Sequence, residues 1–106
     1  MEEVILLPSV NDKLKNLVFV LYKKEYFSFL ESAEKYVNNI YDFIYAIPTL
    51  QHKPTKNKNY GEYYCRYRHN KNTTWYITFD HEDDLYLIKN ITNNHSKDYS
   101  SFMEEL

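Results

Sequence analysis

The stretch from Glu62 to Asp80, EYYCRYRHNKNTTWYITFD, decides the fold. Up to His69, the odd positions Tyr63, Cys65, Tyr67 and His69 oppose the even positions Tyr64, Arg66 and Arg68. From Thr73 on, Trp75, Ile77 and Phe79 oppose Thr74, Tyr76, Thr78 and Asp80. Side chains alternate across a strand, so this period of two, rich in aromatic and β-branched residues, predicts strands over 62–69 and 73–80. The intervening NKN is short enough for a hairpin turn. The next segment repeats the pattern: in 85–92, Leu85, Leu87, Lys89 and Ile91 oppose Tyr86, Ile88, Asn90 and Thr92, behind the short turn HEDD. Three strands so connected form an antiparallel meander.

Upstream the hydrophobic period changes. EEVILLPS near the N-terminus reads as a short edge strand stopped by Pro8. Leu14, Leu17, Val18 and Leu21 then recur at three- and four-residue intervals, which predicts a helix over 11–26 capped by Ser9 or Asn11. SFLE at 28–31 has the capping-box pattern, and the stripe Ala33, Tyr36, Val37, Ile40, Phe43, Ile44 and Ile47 predicts a second helix over 28–47, ended by Pro48. Residues 48–59, with two prolines and no apolar period, read as a surface loop. The expected fold class is α+β: a short N-terminal strand and an antiparallel helical hairpin packed on an antiparallel β-meander, with an irregular tail. The helices can cover one sheet face, which leaves Arg66, Arg68 and Tyr76 looking out from the other.

Composition narrows the function classes. The 106 residues, 43% of them hydrophobic, make one domain over 1–106 with a single core. A lone cysteine excludes an intrachain disulfide and a multi-cysteine metal site, and no signal-like segment or apolar run of membrane length occurs, so a soluble cytoplasmic chain is expected, with no membrane role. The net charge of −2 is unevenly distributed. Lys53, Lys56, Lys58, Arg66, Arg68 and Lys71 face Glu62 alone within 49–72, whereas residues 73–106 are strongly acidic. Such a basic segment is either a solvated loop with a strand edge or a local polyanion site.

Element order and strand pattern together resemble the RelE/ParE superfamily, the toxin components of type II toxin–antitoxin modules. The resemblance is carried by the short first strand, the helical hairpin, the basic loop, and the meander containing YYCRYRHNKNTTWYITFD and LYLIKNITNNH, and it spans residues 2 to about 99. For the ribosome-dependent branch it implies metal-independent mRNA cleavage, with no cofactor, by attack of a ribose 2′-OH on the adjacent phosphate. That chemistry needs a base, positive charge for the phosphorane and an acid for the leaving oxygen. Carried over by position, Arg68 supported by Arg66 stabilises the phosphate, His95 is acid or base with Tyr99 as a second group, and Lys53, Lys56 and Lys58 position RNA. The face bearing Arg66, Arg68 and Tyr76, or an adjacent groove, is equally a surface for the cognate antitoxin, whose acidic segment would use the arginines an RNA backbone would use. The partners implied are that antitoxin, the ribosome and mRNA, in a homo- or hetero-oligomer. The chain departs from the nuclease branch in being acidic overall. The alternatives are a non-catalytic ParE-like inhibitor of DNA gyrase and a toxin-like partner-binding protein.

The remaining residues read as structural. His95 is also explained as a turn histidine; His52 and His81 read as solvated loop residues, and His69 as a strand-end residue. Cys65 reads as a small core residue without a nearby base. No histidine pair has zinc-ligand spacing, and DHEDD reads as an acidic turn, since a calcium loop would need more ligands and a glycine.

Overall fold

The computed structural model describes residues 2–23, 29–56, 59–97 and 99–104. The chain runs β1 (Glu3–Leu6), α1 (Pro8–Lys23), α2 (Leu30–Tyr45), β2 (Lys53–Pro54), β3 (Tyr63–Asn70), β4 (Thr73–Glu82), β5 (Leu85–Asn93) and α3 (Tyr99–Glu104). The five strands form one mixed sheet in the order β1-β5-β4-β3-β2, antiparallel except where β1 runs parallel to β5. The α+β expectation and the meander hold.

Both helices lie on one sheet face. Their antiparallel arrangement is fixed by Tyr41, late in α2, whose hydroxyl donates to Oδ1 of Asn11, early in α1, at 2.6 Å. Val10 and Leu14 of α1 and Val37, Ile40 and Ile44 of α2 pack on Cys65, Trp75, Ile77, Phe79, Ile88 and Ile91 of the sheet. The Trp75 indole N–H donates to the Tyr36 hydroxyl at 3.2 Å, so its polar edge is paired rather than stranded in this core.

Several element boundaries differ from the pattern reading. Pro8 opens α1 instead of merely stopping β1. Its fixed φ and missing N–H suit the first helical position, and the Leu7 carbonyl accepts the amides of Val10 and Asn11. Ser9 and Asn11 therefore lie inside the helix and do not cap it. The cap position of α2 is Phe29, with no side-chain bond; Ser28 and the expected end of α1 at Tyr26 lie outside the described residues. Past Ala46 the chain tightens into a 3₁₀ turn over Ile47–Thr49 that contains Pro48. The expected surface loop contributes the two-residue strand β2, and the tail contains α3.

The largest departure is in β5. Thr78 pairs with Asn90 but Phe79 pairs with Ile88, so Lys89 is an extra residue, a β-bulge. The bulge switches the inward parity: Tyr86 and Ile88 face the helices before it, and Ile91 after it. A strict alternation through 85–92 is thereby corrected. It would have placed Ile91 and Ile88 on opposite faces.

Candidate functional site: the basic face of the sheet

On the face away from α1 and α2, register places side chains in rows. Lys53, Tyr64, Thr78 and Asn90 form one row, Arg66, Tyr76 and Thr92 the next, and Arg68 with Thr74 a third. Alternate residues of a strand lie about 6.6 Å apart on one face. Lys53, Arg66 and Arg68 are all exposed, and no ion pair holds any of them among the described residues. Arg68 makes a long Nε contact, 3.4 Å, to the Asn70 carbonyl.

This face is not open throughout. Tyr76 is only 7% exposed, which corrects the reading that it looks out. Its ring lies 5.8 Å from that of Tyr99 in α3, and the two hydroxyls are hydrogen-bonded. Burial, then this bond, raises the Tyr76 pKa, while the neighbouring Arg66 guanidinium pulls it down. Tyr99 thus reaches this face, where its hydroxyl is engaged with Tyr76.

A second cover is the segment before β3. The Tyr60 carbonyl accepts from Thr78 Oγ1 at 2.6 Å and from Asn90 Nδ2 at 2.8 Å. The Thr55 hydroxyl donates to the Gly61 carbonyl, and the Glu62 amide to Asp80 Oδ1 at 2.9 Å. Asp80 also meets Lys89 of the bulge at 3.3 Å. Gly61 has φ +149°, and a Cβ there would approach the Phe79 backbone nitrogen at 2.9 Å, so only glycine fits. Together these bonds fix the strand that carries Lys53 against the sheet. Sequence reasoning missed them. The available signal was the chain's one glycine just before a strand, and polar Thr78, Asn90 and Thr92 in otherwise apolar or aromatic strands.

His95 lies elsewhere. Its backbone amide donates to Asn93 Oδ1 at 2.9 Å and its ring Nε2 lies 3.2 Å from Thr73 Oγ1, on the helix side of the sheet. Arg68 pairs with Thr74 on the opposite side. Last strand and arginine strand thus bring His95 and Arg68 to one end of the sheet but onto different faces. Lys56 is exposed; Lys58 lies outside the described residues.

Other residues are placed plainly. Cys65 is buried, and burial pushes its thiol up to about 11, as befits an inert core residue. His69 sits 4.1 Å from the Tyr36 ring. His52 and His81 are half-buried and not loop-solvated: His52 packs edge-on to Tyr63 and Phe79, and His81 stacks on Tyr86 at 3.9 Å. Among the described residues no three or more His, Cys, Asp or Glu side chains gather to hold a metal, and no helix is long and apolar enough to cross a membrane. No family model matches the chain, and no curated protein or solved structure matches it.

Proposed function

We propose that this chain is the toxin of a type II toxin–antitoxin module of the RelE/ParE kind, acting in the cytoplasm through the basic face of its sheet. The observation that carries the reading is three exposed cations in successive rows of this face, Lys53, Arg66 and Arg68, none held in an ion pair among the described residues. Two guanidiniums two residues apart on one strand offer planar forks to successive phosphates or carboxylates. The order of strand, helical hairpin and meander is what the resemblance leads one to expect. In the nuclease form of this reading the arginines stabilise phosphorane charge and the lysines hold the RNA backbone. With an acidic antitoxin bound, the same forks are occupied by carboxylates, which silences the face.

One observation favours a non-catalytic form, a binder of the gyrase-inhibitor or partner-binding type. Arg68 and His95 lie on different faces, and Tyr99 is hydrogen-bonded to Tyr76, so the expected acid and base do not flank the arginines together. The deciding experiment adds the purified protein to translating ribosomes in a chelator-tolerant assay and maps mRNA ends by primer extension. Discrete cuts that vanish in the Arg66→Glu, Arg68→Glu variant support the nuclease. Absence of cuts, with arginine-dependent binding to the antitoxin intact, supports the binder.

A further inference from the structure

Where the β3–β4 turn meets the exit from β5, a concavity of about 690 Å³ opens on the helix side, between these segments and α1. Its floor is Leu17, Val20, Leu21 and Trp75; Leu17, Val20 and Leu21 remain only half-buried. Its rim is fixed. Asn94 is bolted to the β3–β4 turn, donating from Nδ2 to the Asn72 carbonyl at 2.9 Å and accepting the Thr74 amide at 3.0 Å. Asn70 Oδ1 accepts the amides of Asn72 and Thr73, each at 2.8 Å. Across the opening, Lys13 anchors its ammonium on the Ile91 carbonyl at 2.7 Å, which leaves two N–H groups for another acceptor. Among the described residues no carboxylate lines the concavity.

We propose that this concavity binds a small amphiphilic anion: an aliphatic or aryl body on the Leu17, Val20, Leu21 and Trp75 floor, with a carboxylate at Lys13. The volume falls within the roughly 300–1,000 Å³ of small-molecule sites, whose usual make-up is an apolar lining with a few placed polar groups. The sign of the charge follows from the Lys13 ammonium on the rim, with no carboxylate among the described lining residues. An acidic peptide segment would use the same charge, but walls on three sides suit a short ligand better than a continuous chain. The site is independent of the basic face, from which the sheet separates it.

Trp75, the only tryptophan, reports occupancy by its own fluorescence. Titration of the full chain with octanoate is expected to give a saturable change, octylammonium none, and Lys13→Gln a loss of affinity of about tenfold, the scale of one charge-assisted hydrogen bond. Val20→Glu, at a half-exposed floor position, should abolish binding while circular dichroism stays unchanged. Equal binding of octanoate and octylammonium would overturn the proposal, as would affinity unaffected by both variants or no saturable binding at all. Binding of an acidic amphipathic peptide in place of octanoate would overturn the small-ligand assignment.

Discussion

The two faces of this sheet are built from the same alternating strands but closed by different physics. The helix face is closed by apolar packing: Ile77, Phe79 and Ile88 are fully buried against α1 and α2. The other face has no hairpin to cover it, yet Thr78 is 0% and Thr92 1% exposed. Its cover comes from polar stitching, with Thr78, Asn90 and Asp80 bonded to the segment before β3, and from the Tyr76–Tyr99 contact with α3. Burial by packing tolerates change in proportion to volume. Burial by hydrogen bonds is all-or-none at each group, since a lost partner strands the other. The stitched face leaves uncovered the strip carrying Lys53, Arg66 and Arg68 at one end and Glu3, Ile5, Glu82 and Leu85 at the other.

The comparison breaks first at the packed face. Phe79→Ala should cost about 3–5 kcal/mol in urea unfolding, the range for truncating a buried aromatic. At the seam between the faces, Gly61→Ala should cost about 2 kcal/mol, since Cβ would press on the Phe79 backbone in a conformation that side chains rarely adopt. A cost near zero there would mean that the stitched segment can lift without penalty. Asn90→Ala and Thr78→Val should each cost about 1 kcal/mol, and the double variant more than their sum, because either single change leaves the Tyr60 carbonyl one donor and only the double strands it. Strict additivity would contradict a shared acceptor.

Alkali sharpens the contrast further. Burial, as the leading cause, raises the pKa of Tyr86 and Tyr67 on the packed face and Tyr76 on the stitched one above the ordinary 10.0, and that of Cys65 from 9.0 to about 11. Each group stays protonated longer in the folded chain than in the unfolded one. Their stabilising contributions are therefore complete below pH 9 and lost as pH rises through 9 for the thiol and 10 for the phenols. Urea midpoints should hold up to about pH 9 and fall from there through about pH 11, and the fall should be shallower in Cys65→Ala and in Tyr76→Phe.

How much could be read from the chain follows the same division. Trp75, Ile77 and Phe79 announced the packed face because apolar burial leaves a period. The bulge at Lys89 left none, since one inserted residue shifts parity without changing composition, and Ile91 was lost from the expected face. The Tyr60 anchor depends on a backbone carbonyl, which has no sequence signature. Arg66 and Arg68 could be read as a pair on one face. That His95 lies on the other was set by a turn, where alternation no longer applies.

The central claim is that the strip of Lys53, Arg66 and Arg68 is the working surface. Growth after induction of the wild type and of the Arg66→Glu, Arg68→Glu variant, both checked for equal unfolding midpoints, tests it most directly. Because both arginines are exposed, the variant should fold as the wild type does. The account predicts arrest with the wild type and normal growth with the variant; a harmless wild type, or a variant that arrests growth as fully, would contradict it.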